Sequence, residues 1–187
     1  QSQFNFGSRT GIDLPNESSG AIYTLDQMKD MELASTTFGQ GFTSTMIQEI
    51  SAVSAVINGG TYYQPHVVKE IKSQEDGSVL KTNEGNVLKQ IVSSDVSEKI
   101  REYMGMSVTS GTSRKSKVQG YSMGGKTGTA EILSTEEKDY LVSFIGFAPL
   151  DTPQVVVYVV VDRPNVEEQA DSSYAQYIAQ AILDEIL

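Results

Sequence analysis

Seven consecutive apolar residues, Val155-Val156-Val157-Tyr158-Val159-Val160-Val161, constrain this chain more than any other feature. A strand with one face in water alternates apolar and polar residues. This run does not, so it reads as a strand covered on both faces and set inside a sheet. It falls far short of the roughly 20 residues that a membrane helix needs. Its one visible partner is Tyr140–Ala148, reached through the turn Asp151-Thr152-Pro153, and nothing C-terminal to it supplies a second. The expected second neighbour is a strand upstream of Gln1 or a second copy of the chain, because a flat valine-rich edge invites pairing.

The rest of the pattern places this strand. A third strand is expected over Gly125–Ile132, with Ser134–Lys138 as the turn that follows. Helical spacing marks Thr43–Asn58 through Met46, Ile50, Val53, Val56 and Ile57, with Thr43 to Thr45 as cap oxygens and Asn58-Gly59-Gly60 as the stop. Ser94–Val108 and Ser172–Leu187 repeat that spacing, and Thr24–Met31 reads as a short amphipathic helix. His66–Ile71 and Ser78–Leu80 flank Glu75-Asp76-Gly77, a hairpin signature, and Val87–Val92 reads as a further strand. Gln1–Gly20 and the basic stretch Ser110–Gly120 read as loop. Helices, then an antiparallel meander, then a closing helix predict an α+β fold and not a parallel doubly wound one. The expected division is a mainly helical part over 1–61, a hairpin insertion over 62–92, and a helix, three-strand meander and closing helix over 93–187.

Charge and composition exclude several functions. With 14 basic against 24 acidic residues the net charge is −10, which disfavours a broad nucleic-acid surface and docking on anionic lipids. The absence of cysteine removes disulfides, thiolate zinc sites and thiol chemistry. One histidine, His66, leaves no pair for a metal. Following Pro65 at a strand start, it reads as structural. No metal or cofactor is expected. The cluster Arg114, Lys115, Lys117 reads as a solvated loop, with attraction of an anionic glycan as the alternative. The polar, Met-less start at Gln1 suggests a piece of a longer protein.

Residues Gly120 to Thr127 fit the G-x-x-x-x-G-K-[ST] pattern of a phosphate-binding loop. That loop needs a buried strand before it and a helix starting at its lysine. Here a charged stretch precedes it, Gly128 follows Thr127, and Ala130-Glu131-Ile132 leads into another strand. The competing reading is Lys126-Thr127-Gly128-Thr129 opening an edge strand, where an ammonium and two hydroxyls meet the carboxylate of an extended peptide paired along the backbone. Alone, three residues fit a solvated lysine equally well.

Three stretches in order add to this. They are Gly11-Ile12-Asp13-Leu14-Pro15-Asn16-Glu17 with Gly20; Phe38-Gly39-Gln40-Gly41 with Thr45, Gln48 and Asn58-Gly59-Gly60; and Lys126-Thr127-Gly128-Thr129-Ala130-Glu131. Together they resemble the transpeptidase domain of class B penicillin-binding proteins, serine acyltransferases that cross-link peptidoglycan, and the resemblance covers nearly the whole chain. It implies the penicillin-binding protein/β-lactamase-like fold, an antiparallel sheet flanked by helices, present here as its C-terminal portion. It implies a peptidoglycan stem peptide ending in D-Ala-D-Ala as substrate, β-lactams as mimics of that end, and an acyl-enzyme on a serine. By the same resemblance Lys126 holds the terminal carboxylate electrostatically, Thr127 and Thr129 hydrogen-bond it, Gly128 admits the substrate backbone, and the Thr129 N–H is one oxyanion donor. Glu131, next to this motif, points at the cleft or is solvated. The implied parent is extracytoplasmic on an N-terminal membrane anchor.

The catalytic half of the family's motif set is missing. No S-x-N occurs, and the one S-x-x-K, Ser78-Val79-Leu80-Lys81, follows an Asp-Gly turn where the family requires a buried helix ahead of the G-x-D-L-P segment. Ser78 therefore reads as coincidence. The nucleophile, its lysine and the second motif are expected upstream of Gln1, so that this polypeptide alone neither turns over substrate nor binds penicillin covalently. The rivals are a non-catalytic relative that binds peptidoglycan or a partner, a serine β-lactamase or sensor domain, and a phosphate-loop nucleotide-binding protein.

Overall fold

β6 (Asp139–Ala148) is the middle strand of a three-stranded antiparallel sheet, with β5 (Gly124–Ile132) on one side and β7 (Val155–Asp162) on the other. This is a computed structural model, and it describes residues 1–132 and 138–187. Most of the expected turn Ser134–Lys138 lies outside the described residues. The three strands follow the sequence pattern to within a residue. Their register runs unbroken from Gly124↔Phe147 to Ile132↔Asp139 and from Leu141↔Asp162 to Ala148↔Val155.

The valine run finds the one partner expected for it within this chain. β7 pairs with β6 alone among the described residues, and Val155 to Val161 are half-buried. One of its faces is accounted for. Val157, Val159 and Val161 pack with Phe144 against Ala175 and Ala179 of the closing helix α4 (Ser173–Ile186). The helix α3 (Ser94–Thr109) adds Val108 to a second cluster with Val118, Met123, Ala148 and Leu183. Full burial of Val108 or Leu183 is worth roughly 1.5–3 kcal/mol each. These elements, with Ile57–Gly59, form one of the chain's two compact units.

The expected loop between α3 and β5 is neither uniformly wet nor wholly irregular. Ser113 and Ser116 are buried around a 3₁₀ turn at Arg114–Ser116, and the Ser113 and Ser107 hydroxyls lie 2.8 Å apart. The Lys115 N–H donates to the buried Gln176 of α4 at 3.1 Å, and its ammonium donates to Ser173 at 2.5 Å. Gly111 is needed here, because a Cβ would sit 2.8 Å from the Ser107 Cα.

The other unit comprises Gln1–Val56 and Gly60–Ser93. It holds α1 (Asp30–Thr36), nearly all of α2 (Met46–Ile57), and two hairpin-like pairs. β1 (Thr61–Gln64) pairs with β4 (Asn86–Gln90), and β2 (Glu70–Lys72) with β3 (Val79–Thr82). Gln48, on α2, is fully buried and staples the long N-terminal loop. Its Nε2 donates to the Ser8 and Ser19 carbonyls at 2.8 Å each, while its Oε1 accepts the Thr45 N–H at 2.8 Å.

Two expected elements shift here. The first helix begins at Asp30, not at Thr24, because the Glu32 carboxylate accepts the Lys29 N–H at 3.1 Å and fixes the start there. Leu25 and Met31, within the stretch expected to be helical, are 91 % and 77 % exposed. The strand expected over His66–Ile71 is reduced to Glu70–Lys72, since the Asp13 carboxylate takes the Val67 and Val68 N–H groups that a ladder would use.

Candidate functional site

Lys126, Thr127, Gly128 and Thr129 occupy the middle of β5, which has no strand on its other side among the described residues. No helix starts at Lys126. The strand runs on to Ile132, so the phosphate-loop geometry is absent. Gly124 and Gly125, the glycines that completed that pattern, have another role. A Cβ on Gly124 would run into the Phe147 ring, and one on Gly125 into the Phe144 ring. Both rings are fully buried, and Phe144 is held by Ala175 and Ala179. The glycines thus let two aromatic rings of β6 slide beneath the start of β5.

Strand alternation sorts the site residues between two faces. Thr127 lies opposite Phe144 and Thr129 opposite Val142, which places both threonines, and Glu131 after them, on the face that α4 covers. Lys126 and Gly128 lie on the other face, opposite Ile145 and Ser143. The Lys126 side chain is exposed and curls to its own strand, donating from Nζ to the Thr127 carbonyl at 2.6 Å. The Thr127 hydroxyl is 3.3 Å from that of Thr112, and the Thr129 hydroxyl is 3.5 Å from the Ala170 carbonyl. Space above Gly128 is taken from within the sheet, because a Cβ would meet the Ser143 hydroxyl at 2.5 Å.

Two neighbours of the site carried no sequence signal. Thr112 reaches Thr127 because the loop before it is anchored through Ser113 and Lys115. Ala170 reaches Thr129 because the loop before α4 is fixed at both ends, with Gln169 accepting the Tyr140 N–H at 3.0 Å and Asp171 accepting the Ser173 N–H at 2.8 Å. The Ser173 hydroxyl and N–H, with Lys115 nearby, hold the Asp171 carboxyl below its ordinary value.

The remaining candidates separate from this strand. Ser78 sits in an exposed turn, donating from both N–H and hydroxyl to Asp76, and Lys81 stands on β3 opposite Ile71. A serine and a lysine related by a helical turn are not found there. His66 follows β1 in the first unit, outside any strand. Asp13 and Glu17 of the Gly11–Gly20 segment hold backbone together. Asp13 accepts Val67 and Val68 at 2.7 and 3.0 Å, and Glu17 accepts the Thr10 N–H and hydroxyl at 2.6 Å each and the Gly11 N–H at 3.0 Å. The Val67 and Val68 N–H groups lower the Asp13 carboxyl. Burial pushes Glu17 up, but the Thr10 and Gly11 bonds outweigh it and leave the carboxyl lowered. Among the described residues no group of His, Asp and Glu could hold a metal ion, and no helix is long and apolar enough to cross a membrane.

The chain matches the penicillin binding protein transpeptidase domain over residues 1–184. Stage V sporulation protein D of Bacillus subtilis is 41 % identical over 187 residues, covering 98 % of this chain and 29 % of that protein. Peptidoglycan D,D-transpeptidase MrdA of Acinetobacter baumannii is 32 % identical over 181 residues, 84 % of this chain and 26 % of its own length. Among solved structures, a peptidoglycan synthetase from Bifidobacterium adolescentis has a TM-score of 0.87 at 26 % identity, over 99 % of this chain and 34 % of that one. Penicillin binding protein 3 of Mycobacterium tuberculosis, complexed with aztreonam, has a TM-score of 0.84 at 26 % identity, over 100 % of this chain and 45 % of that one. The chain thus spans less than half of each of these relatives. It belongs to the penicillin binding protein transpeptidase domain family.

Proposed function

We propose that this chain is the carboxylate-and-oxyanion side of a peptidoglycan D,D-transpeptidase site, its substrate a stem peptide ending in D-Ala-D-Ala. The observation that carries the reading is the placement of Lys126-Thr127-Gly128-Thr129 in an edge strand with an open side. An extended peptide adds to such an edge through main-chain bonds. The Lys126 ammonium, already at the Thr127 carbonyl, is positioned to meet the terminal carboxylate, with the Thr127 and Thr129 hydroxyls as further donors.

In an antiparallel pair every second residue turns both N–H and C=O away from its partner. A Thr127 carbonyl accepting from Lys126 belongs to that outward set, and Thr129, two residues on, shares it. This supports the Thr129 N–H as an oxyanion donor, a contribution typically worth roughly 3–4 kcal/mol of transition-state stabilisation. The serine nucleophile, its lysine and the second motif come from outside residues 1–187. The open edge of β7 takes a strand from that same missing part, or from a second copy when it is absent. The site works on the extracytoplasmic side of the membrane.

The test is acylation of the intact parent protein by a fluorescent penicillin. Lys126→Ala slows acylation at least ~100-fold while the protein stays folded. Unchanged acylation overturns the assignment of Lys126. A parent that never acylates leaves a non-catalytic peptidoglycan-binding relative. The 187-residue chain alone stays unlabelled, and stable labelling abolished by Ser78→Ala overturns the placement of the nucleophile elsewhere. A purely monomeric chain by light scattering, with no partner chain present, counts against self-pairing at β7.

A further inference from the structure

The unit formed by Gln1–Val56 and Gly60–Ser93 contains a cavity of about 390 Å³ between the β1–β4 pair and the β2–β3 pair. That is within the range of roughly 300–1,000 Å³ that small ligands occupy. We propose that it binds the free carboxylate end of a short peptide. The inference does not depend on the reading of β5.

Charge is the first argument. Both acidic residues at the cavity are already committed. Asp13 spans the Val67 and Val68 N–H groups, and Glu70 pairs with Lys72 at 2.8 Å. The two cations, Lys69 and Lys81, have no ion pair among the described residues. With Asp13 tied to two backbone N–H groups and Glu70 to Lys72, the Lys69 and Lys81 ammonium groups are the charges at the cavity left without an ion pair, and a ligand carboxylate would supply one.

Hydrogen-bonding capacity is the second. Asn83 spends its carbonyl on the Gly85 N–H at 3.3 Å, which leaves its amide N–H groups as donors. Asn86 spends its amide on the Gln64 carbonyl at 3.1 Å, which leaves its own carbonyl as an acceptor. Gln64 in turn donates to the Gly11 carbonyl at 2.5 Å, so the wall is fixed before a ligand arrives. Donors for a carboxylate, an acceptor for a peptide N–H, and Val68 and Ile71 as apolar lining match a peptide end. No arginine lines the cavity, so it offers no bidentate fork to a phosphate. Two turns of helix, about 10 Å across and 11 Å long, would need roughly twice the volume, so the ligand is short and extended.

The test titrates the full chain with the acetylated tripeptide Ac-Gly-Ala-Ala bearing a free C-terminus, followed by amide ¹H–¹⁵N shifts that also report folding. Its C-terminal amide, a D-Ala-D-Ala-ended counterpart and inorganic phosphate are titrated in parallel. The free acid is expected to shift the amides of Lys69, Asn83 and Asn86, with the C-terminal amide at least tenfold weaker. Lys69→Glu and Lys81→Glu, both at exposed positions, each weaken binding at least fivefold, and Lys99→Ala, in the other unit, leaves it unchanged. Preference for the D-Ala-D-Ala end assigns the ligand to cell-wall stem peptide, and preference for the L-peptide to a protein C-terminus. Equal affinity for acid and amide, shifts confined to β5, phosphate binding as tight as peptide, or no shift at millimolar peptide each overturns the proposal.

Discussion

The hydroxyl of Ser143 fills the space above Gly128, its register partner across β5 and β6. A methyl group at Gly128 would stand 2.5 Å from that oxygen but 3.9 Å from the Ser143 Cβ. Rotation about one side-chain bond therefore relieves the clash. Gly128→Ala is expected to change stability by no more than ~1 kcal/mol, and the change vanishes in a Ser143→Ala background, as a double-mutant cycle in urea will read. Gly125→Ala has no such relief, because it meets a Phe144 ring wedged against α4. It is expected to cost about 2–3 kcal/mol, the upper part of the range for overpacked cores.

Removing the Thr129 hydroxyl and removing its N–H should have different effects. With its N–H on the open edge, Thr129→Pro breaks no ladder bond and the fold survives. Penicillin acylation of the intact parent then falls ~100- to 1,000-fold for Thr129→Pro, and less for Thr129→Ala. A Thr129→Pro protein that unfolds, read by loss of its thermal transition, places that N–H in the ladder with β6.

Gln48→Met keeps the volume of a buried side chain but leaves the Ser8 and Ser19 carbonyls and the Thr45 N–H without their partner. The expected loss is about 2–4 kcal/mol, read as a lower urea midpoint, because each orphaned buried group carries its own desolvation penalty. The N-terminal loop should become the first site of limited proteolysis.

Asp13, Glu17 and Asp171 all have carboxyls below their ordinary values of 3.8, 4.5 and 3.8. A depressed folded value means that the unfolded chain takes up protons first. The stability these groups contribute is complete above the ordinary value and is lost as pH falls through the folded one. Urea midpoints are thus expected to be flat from pH 7 to about 5 and to fall below it. Glu17→Gln should flatten the part of that fall nearest pH 4.5.

Periodicity and punctuation made much of this fold readable in advance. The meander, α3, α4 and most of α2 follow from apolar spacing and from the Asn58-Gly59-Gly60 stop, all of which are local properties. What escaped depended on side chains distant in sequence. The Asp13 carboxylate cut short a strand more than fifty residues away, and a loop that looked like solvated lysine and arginine is held by buried Ser113 and Gln176. At the candidate site the Lys-Thr-Gly-Thr stretch was legible as an extended edge. Thr112 and the Ala170 carbonyl were not, because loops with no motif of their own bring them there. The valine run signalled a strand with one partner in this chain, and β7 pairs with β6 alone among the described residues.

The two glycines that begin β5 also separate rigidity from recognition. With the Phe144 and Phe147 rings tucked under Gly124 and Gly125, the stiffness of the rim comes from aromatic ballast on the neighbouring strand and not from the rim's own side chains. The exposed positions 126, 129 and 131 are then at liberty to change. A library randomised there, with 124 and 125 left alone, would explore new ligands on a platform that keeps its melting temperature.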